Sequence, residues 1–424
     1  MMRRTAVVIG AGLIGTTTAW FLAQRDFDVT VVERRIGPGL ETSFANGGLL
    51  TPSQADPWNA PGILARAIRW LGRENSPLLL RPRAVPGMIG WGWRFLRASR
   101  PRPHLHATRA ILQLALYSLR TQDALDEQLA LDYHRLHHGT LKIFRDRRAF
   151  AETRELIEQM QPLGLEARVL DPKAAADLEP LLADTADELV GAVHYPKDGS
   201  GDAYQFTAAL QQHAAQAGVQ FRFNTDISGF QADSNSVTLL RSSQGDIHAD
   251  AYVVAAGSYS PKLTRPLQLP LPVYPAKGYS LTFSTSPARQ LQVPVVDFEQ
   301  KIVITPLGDR VRIAGTAEFN GYDTEVNLKR STATLQQALR LLPKLAEDAA
   351  GEGKVTHWTG LRPMTCDGPP ILGATPYTNL YLNTGHGPLG WTLCAGSAQL
   401  VTDIVAGRRP AVNPEDYSFR RFSH

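Results

Sequence analysis

The chain of 424 residues contains little cysteine. Its two cysteines, Cys366 and Cys394, cannot build a disulfide framework, and no Cys-x-x-Cys pair is present for zinc binding or redox exchange. We therefore expect a reducing, cytoplasmic compartment. With 43% hydrophobic residues the chain is long enough for two or three domains with sizeable cores. This composition excludes a disordered chain, collagen and a coiled coil.

Acidic residues are nearly absent from Arg66 to Arg109, which contains ten arginines and one acid, Glu74. This segment carries +9, so the rest of the chain sums to −5 although the total is +4. The aromatic residues within it are Trp70, Trp91, Trp93 and Phe95. Two interpretations stay open: peripheral contact with anionic lipid, and a solvated helical lobe with tryptophans in its core. Nucleic-acid binding through phosphate contacts and stacking is disfavoured.

Glycines decide how the uncharged stretch after the basic N-terminus is interpreted. Such a stretch imitates a signal peptide or short membrane anchor. However, Gly10, Gly12 and Gly15 would weaken a hydrophobic helix, whereas a strand (6–9), a turn (10–15) and a helix (13–24) use all of them. A second strand at 28–33 closes a βαβ unit within about 30 residues. We expect a globular α/β opening and no targeting segment.

The Gly-x-Gly-x-x-Gly turn predicts a dinucleotide site. Gly10 makes the turn, Gly12 lets the backbone approach a pyrophosphate, and Gly15 lets the helix pack on the strand. The helix N-terminus stabilises phosphate charge. Glu33, 18 residues after Gly15, can accept hydrogen bonds from both ribose hydroxyls. It would repel the extra phosphate of NADP even though Arg34 follows, so NAD and FAD remain.

Two later segments favour FAD. Residues 250–257 predict a buried strand that ends in small residues, where a chain passes close to a cofactor. Residues 383–392 predict a glycine-rich junction between a strand and a helix, and its N–H groups could face the pyrimidine edge of a flavin, where negative charge appears on reduction.

The order of these elements predicts α/β and α+β architecture. Strands are expected at 140–144, 219–223 and 380–383, helices at 107–131 and 206–216, and alternating strands at 273–283, 301–305 and 311–315. The alternation indicates an antiparallel sheet with one face on a cavity. We predict a Rossmann-like dinucleotide-binding domain (1–65, 197–262, 355–424) interleaved with a substrate domain (66–196, 263–354) built on a mixed or antiparallel sheet with helices.

The motifs together resemble those of a known family. They are the N-terminal fingerprint, Glu41-Thr42-Ser43 with Asn46 and Gly48, residues 274–279 (YPAKGY), residues 359–364 (TGLRPM) and residues 383–392. The sequence is similar to the bacterial FAD-dependent D-amino-acid dehydrogenases of the small-subunit type, within the D-amino-acid oxidase and glycine oxidase superfamily. The resemblance implies oxidation of a D-amino acid to its imino acid by hydride transfer from Cα to flavin N5. Water then gives the 2-oxo acid and ammonia, and electrons pass to a quinone or other respiratory acceptor.

The resemblance also implies which residues hold noncovalent FAD. They are Gly10, Gly12, Leu13, Ile14, Gly15, Glu33, Arg34, Thr42, Ser43, Asn46, Gly47, Gly48, Leu49, Ile227, Ala256, Gly257, Gly387, Leu389, Gly390, Trp391 and Thr392. Leu49 and Gly47 depart from the family pattern, where Gln and Ala are expected. Because Leu49 could alter the pocket beside the flavin, D-hydroxyproline or D-proline remains an alternative substrate. Cys366 does not sit where related enzymes link their flavin.

Substrate binding is assigned chiefly to Arg362, because a guanidinium grips a carboxylate bidentately and the resemblance places the carboxylate-binding arginine there. Tyr279 could donate to the same carboxylate, Tyr274 could wall the pocket, and His386 could hydrogen-bond flavin or substrate. Lys277 is interpreted as a charge at the edge of a sheet. Positioning of Cα–H supplies most of the catalysis, so no acid–base dyad is required.

Several alternatives are kept. An oxidase that uses O₂ on glycine, sarcosine or D-amino acids shares this fold. A NAD-dependent dehydrogenase or a non-enzymatic dinucleotide-binding module would purify colourless. No metal is expected: the histidines at 134, 137 and 138 would need a helix, and Gly139 with the strand after it breaks one. For the basic segment, the family resemblance favours contact with the inner face of the cytoplasmic membrane.

Overall fold

The computed structural model describes residues 3–63, 76–351 and 353–422. The part of the basic segment that contains Trp70 and Glu74 lies outside these residues. Within the described part the α-helices are α1 (Leu13–Ala23), α2 (Val85–Ala98), α3 (Pro101–Leu129), α4 (Arg147–Met160), α5 (Pro172–Leu178), α6 (Ala203–Gln216), α7 (Ser260–Thr264), α8 (Leu328–Leu341), α9 (Ala346–Ala349) and α10 (Gly390–Val405). The strands are β1 (Arg4–Ile9), β2 (Phe27–Val32), β3 (Leu49–Leu50), β4 (Leu78–Leu80), β5 (Thr140–Phe144), β6 (Arg168–Leu170), β7 (Gly191–Tyr195), β8 (Gly199–Ser200), β9 (Gln220–Arg222), β10 (Ile227–Ala232), β11 (Val237–Ser242), β12 (Gly245–Ile247), β13 (Ala251–Val254), β14 (Val273–Ser284), β15 (Val295–Asp297), β16 (Ile302–Leu307), β17 (Arg310–Phe319), β18 (Thr356–Thr365), β19 (Ile371–Ala374) and β20 (Leu380–Thr384).

A six-stranded sheet carries the N-terminal βαβ unit. Its order is β19-β20-β13-β1-β2-β9, parallel except for the antiparallel pairing of β19 with β20. One face of the central strands packs on helices that include α1, α6 and α10. The other face packs on a small antiparallel sheet, β10-β11-β12. The central strands are apolar because both of their faces are buried. Helix α1 contains three consecutive threonines, and Thr17 and Thr18 donate to the carbonyls of Leu13 and Ile14 at 2.7 and 2.6 Å. These bonds satisfy buried hydroxyls inside the helix.

A larger, mostly antiparallel sheet lies beside the first. Its order is β18-β14-β17-β16-β15-β5-β7-β6, with β4 added in parallel to the end of β17. The expected alternating strands are present, and their apolar side chains form a second core with helix α8. The predicted mixture of α/β and α+β architecture is therefore confirmed.

The proposed division into two interleaved parts does not follow the sheets everywhere. Strand β18, placed by the sequence in the dinucleotide part, pairs with β14 along its whole length in the large sheet. Helix α3, placed in the substrate part, packs instead on α10: Ser118 Oγ accepts from the N–H of Gly396 at 2.9 Å. The predicted boundary near 355 therefore lies just before β18, a strand of the large sheet. The order of motifs along the chain could not reveal this pairing, because the paired strands are far apart in sequence.

Candidate active site

One cavity of about 1290 Å³ lies between the two sheets. It is lined by all but three of the residues that the sequence assigns to cofactor or substrate. The exceptions are Gly15, Thr392 and Tyr274, which pack behind the cavity wall. Tyr279 lines the cavity, but its hydroxyl is held away from it.

The glycine turn forms one end of the cavity. Gly10 has φ +106°, a conformation that favours glycine, and its N–H donates to the carbonyl of Val32 at 2.8 Å. A Cβ on Gly15 would lie 1.8 Å from the carbonyl oxygen of Gly10, so only glycine lets α1 approach the turn. Gly12 precedes α1, and Gly12, Leu13 and Ile14 line the cavity at the start of this helix. This arrangement suits a pyrophosphate.

Glu33 lies beside this turn at the end of β2. Its Oε2 accepts from the N–H of Ala11 and its Oε1 from the N–H of Arg35, both at 2.8 Å. A carboxylate has about four acceptor sites, so each oxygen can still accept from a ribose hydroxyl. The guanidinium of Arg34 stacks on Tyr259 at 3.9 Å and pairs with Glu41. Arg34 lines the cavity as expected, and its contacts with Tyr259 and Glu41 hold its side chain in place. Ile227 lines the same end.

The loop from Thr42 to Leu49 crosses the cavity to the large sheet. Thr42 Oγ1 donates to the carbonyl of Leu361 at 2.9 Å, and Asn46 Oδ1 accepts from the N–H of Gly48 at 3.0 Å. Gly48 has φ +72°, and a Cβ there would lie 2.9 Å from Thr305 Cγ2. Ser43 Oγ accepts from the N–H of Leu13 at 3.1 Å. The loop is thus tied to both sheets and has little freedom to move.

The glycine-rich segment at 383–392 forms the opposite end. Gly387 has φ +55°, and α10 begins at Gly390, so N–H groups of its first turn lie at the cavity wall. Thr392 points away and its Oγ1 accepts from the N–H of Thr51 at 2.9 Å. Two buried polar atoms at this end, Asn383 Oδ1 and Trp391 Nε1, have no hydrogen-bond partner among the described residues. A bound polar ligand would satisfy them.

Arg362 reaches the cavity from β18. Its Nη1 donates to the carbonyl of Thr316 at 3.0 Å, and its guanidinium lies 5.8 Å from the ring centroid of Trp58. It makes no ion pair with any acid in the described part of the chain. Burial lowers its pKa to about 10, so it remains a cation at neutral pH. An unpaired, half-buried guanidinium is a strong site for a carboxylate, because its charge is already partly removed from bulk water.

Tyr279 lines the cavity but differs from its expected role. Its hydroxyl donates to Glu318 Oε2 at 2.5 Å. Burial, together with Glu318, raises its pKa well above the ordinary value, so the phenol stays protonated. Glu318 also accepts from Arg81 Nε at 2.7 Å and faces Lys277 Nζ at 3.7 Å. The hydroxyl proton is committed to this network and is directed away from a substrate carboxylate.

Two further expectations need correction. Tyr274 does not wall the cavity: its hydroxyl donates to the carbonyl of Ala84 at 3.2 Å, and its ring packs against Trp91 and Phe319. Lys277 is not a charge at a sheet edge, because β14 lies between β18 and β17 and the side chain is buried between Glu318 and Asp323.

His386 lines the cavity, as expected, at the turn before α10. Its Nε2 lies 3.0 Å from Ser397 Oγ, and burial lowers its pKa to about 3. The imidazole is therefore neutral at physiological pH. Because Nε2 is engaged with Ser397, the other ring nitrogen can make one further hydrogen bond. The ring supplies no positive charge to the site.

Sequence reasoning missed Trp58 and Glu318. Trp58 is brought to Arg362 by the loop after β3, and nothing in its local sequence marks it. Glu318 carried a signal, since it is an acid within the otherwise apolar end of β17. Among the described residues no group of three or more His, Cys, Asp or Glu side chains is arranged to hold a metal ion.

The cavity therefore offers an anion-binding helix terminus, a ribose-binding carboxylate and two unpartnered polar atoms, which together fit FAD. A family model described as DAO, FAD dependent oxidoreductase, matches residues 5–404. The chain belongs to this family. When bound, FAD would be held by the residues that line the cavity from Gly10 to Glu33, by the loop at 42–49, and by the turn before α10.

Curated relatives and a solved structure agree with this assignment. The D-amino acid dehydrogenase of Dechloromonas aromatica (strain RCB) is 45% identical over 410 residues, which cover 95% of this chain and 97% of that protein. The D-amino acid dehydrogenase of Paramagnetospirillum magneticum is 44% identical over 420 residues, covering 98% of each. The crystal structure of glycine oxidase from Geobacillus kaustophilus has a TM-score of 0.79 at 25% identity and covers 99% of each chain. The chain thus has the glycine oxidase fold.

Proposed function

We propose that this protein is an FAD-dependent D-amino-acid dehydrogenase that oxidises a D-amino acid to its imino acid, which water converts to a 2-oxo acid and ammonia. The observation that carries this proposal is the half-buried guanidinium of Arg362, which faces the cavity without an acidic partner. A substrate carboxylate would supply that partner. The curated relatives support the D-amino-acid class of substrate.

The chain's own residues would act chiefly by positioning. Arg362 would hold the carboxylate through two parallel hydrogen bonds, while Trp58 would limit the space beside it. FAD, when bound, would supply the two-electron oxidation of the substrate. The substrate amine must be unprotonated, and no carboxylate beside Arg362 in the described structure would hold an ammonium there. His386 is neutral, so it places no charge beside the substrate amine.

Substitution of Arg362 tests this role. Arg362→Lys keeps the charge but loses the planar pair of donors. We expect the KM for D-alanine to rise at least roughly tenfold while FAD stays bound. Steady-state kinetics give the KM, and the flavin absorbance of the purified variant gives its FAD content, so that weaker substrate binding is distinguished from loss of FAD. An unchanged KM would remove Arg362 from the substrate site.

The electron acceptor we propose is a quinone or another respiratory carrier rather than O₂. An oxidase would give hydrogen peroxide in equal amount to the 2-oxo acid. The measurement is 2-oxo acid and peroxide in the same reaction, with and without a soluble quinone. Little peroxide and strong stimulation by the quinone are expected, whereas stoichiometric peroxide would assign the protein to the oxidases.

Membrane contact is proposed through α2. Four of its apolar side chains are exposed and recur along one side of the helix: Val85, Ile89, Trp93 and Leu96. Ile89 and Trp93 are 68% and 62% exposed. The described residues 76–109 include no acid, and Arg94, Arg97, Arg100 and Arg102 form no ion pair within the described chain. Apolar and basic side chains on one surface suit an anionic bilayer. No helix among the described residues is both long and apolar enough to cross a membrane.

Liposome co-sedimentation tests this contact. Vesicles with anionic lipid should retain the protein at low salt, and salt should weaken the binding because exposed charges are screened. Replacing Ile89 and Trp93 together with Ser should reduce binding strongly. The matched control, Val169→Ser, changes an exposed apolar residue on β6, away from α2. Equal binding by both variants would contradict the proposal.

A further inference from the structure

A second part of the cavity surrounds Lys142, far from the substrate arginine. Register across the large sheet places Lys142, Val296, Val303, Ala314, Ser280 and Trp358 in one row. The row crosses five strand spacings, about 24 Å at about 4.8 Å each. Arg362 lies four residues beyond Trp358 on β18. The Lys142 region is therefore separate from the site assigned to the substrate carboxylate.

The loop from Thr42 to Leu49 divides the two regions. A Cβ on Gly47 would lie 3.3 Å from Val303 and 3.7 Å from Ala314, so the loop backbone lies on the middle of the row. None of the residues expected to hold FAD belongs to β5, α3, α4, β7 or the turn after β15, which surround Lys142. Space around Lys142 is thus not assigned to FAD or to the amino-acid substrate.

The walls around Lys142 are mainly apolar. They come from α3, α4, β7 and the turn after β15, and include Leu112, Leu156, Met160, Tyr195 and Phe298. These side chains belong to one hydrophobic cluster. The ammonium itself lies 5.3 Å from the ring centroid of Tyr195. An apolar molecule that binds here would remove its surface from water, which favours binding.

The Lys142 ammonium has no hydrogen-bond or ion-pair partner among the described residues. The buried acid Asp198 accepts instead from Ser53 N at 3.2 Å, Ser53 Oγ at 2.5 Å and Thr140 Oγ1 at 2.6 Å. Asp56 pairs with His104 at 3.0 Å. Burial lowers the pKa of Lys142, an effect that Asp198 and Asp56 oppose. The Lys142 side chain is half-buried, and an ammonium partly removed from water without an acceptor is costly unless a ligand provides one.

We propose that the region around Lys142 is a second ligand site, for a small carboxylate with an apolar body. The carboxylate would accept from the Lys142 ammonium, and the apolar body would lie between α4 and Phe298. This site is independent of the proposed D-amino-acid oxidation, because it uses neither Arg362 nor the residues that would hold FAD.

Equilibrium binding of octanoate to the FAD-loaded protein tests the proposal. Calorimetry would compare octanoate with octanamide, which has the same apolar body and no charge. Wild-type protein should bind octanoate at least tenfold more tightly than octanamide. Lys142→Met should weaken octanoate at least tenfold and octanamide little, since a charge-assisted hydrogen bond is lost. Lys173→Met, which changes an exposed lysine of α5, is the matched control.

Two further variants locate the site and guard against misfolding. Arg362→Lys should leave octanoate binding at Lys142 intact, and Lys142→Gln, which keeps a neutral donor, should fall between wild type and Lys142→Met. Absence of octanoate binding to wild type, equal affinity in Lys142→Met, or loss of binding in Arg362→Lys would each overturn the proposal. Bleaching of the flavin by D-amino acids is expected to persist in Lys142→Met, so failure here is distinguishable from failure of the proposed function.

Discussion

The guanidinium of Arg362 lies directly over Gly278 of the neighbouring strand. A Cβ on Gly278 would lie 2.4 Å from Arg362 Cζ, so the absence of a side chain on β14 sets the position of the arginine. Gly278→Ala should push the flexible guanidinium away and leave the backbone in place. We expect the substrate KM to rise roughly tenfold to a hundredfold with FAD content unchanged. Steady-state kinetics check this, with Gly90→Ala, whose Cβ meets nothing within 4 Å, as the control. A KM equal to wild type would show that the arginine is not held by this contact.

Gly15→Ala should remove FAD. The added Cβ would lie 1.8 Å from the carbonyl oxygen of Gly10, and backbone cannot yield as a side chain can. Helix α1 would shift from the turn at a cost of about 1–3 kcal/mol or more, which displaces the N–H groups meant for the pyrophosphate. The variant should purify largely colourless, as judged by the ratio of flavin to protein absorbance. Full flavin content would argue against this turn as the phosphate site.

Tyr279→Phe should affect stability more than substrate binding. The hydroxyl donates to buried Glu318, so its loss leaves one carboxylate oxygen short of a donor and costs about 1–2 kcal/mol of unfolding free energy. The substrate KM should change less than about threefold. Denaturant unfolding and kinetics on the same preparation provide both values. A large KM change without destabilisation would restore the sequence-based expectation that Tyr279 binds the carboxylate.

Asp198→Asn should change how stability depends on pH. Burial raises the pKa of Asp198 from 3.8 to about 6 in the folded protein. The native state therefore binds more protons between these values, and the stability due to protonated Asp198 is present below about pH 4 and lost as pH rises through about 6. Relative to the Asn variant, wild type should lose about 2 kcal/mol between pH 4 and 7. Unfolding curves across this range measure the difference. A difference that is flat, or that grows in favour of wild type, would contradict the shifted pKa.

Local features of the fold and site were predictable from sequence. The glycine turn, Glu33 and the strand at 140–144 depend on a few neighbouring residues, and the structure places them as expected. The segment from Gly387 to Trp391 likewise lines the cavity, because a glycine-rich turn before a helix is encoded within that segment alone.

Features that depend on strand register were not predictable. Tyr279 and Glu318 are 39 residues apart, and they meet only because β14 pairs with β17. The same pairing buries Lys277, which alternation alone made look like an edge charge. Tyr274 lies four residues before Gly278, yet the start of α2 occupies the space where it was expected to face the cavity. Such contacts follow from the order of strands, which a single sequence does not reveal.

Anaerobic reduction of the bound flavin tests the central claim most directly. The purified protein would be mixed without oxygen with D-alanine, L-alanine, D-proline, D-hydroxyproline, glycine and sarcosine in separate experiments, and the visible absorbance followed. We predict rapid bleaching by D-alanine and none by L-alanine. Bleaching by D-proline or D-hydroxyproline alone would move the protein to the cyclic imino acids. Bleaching by L-alanine, or a flavin that stays oxidised with every compound, would contradict the account.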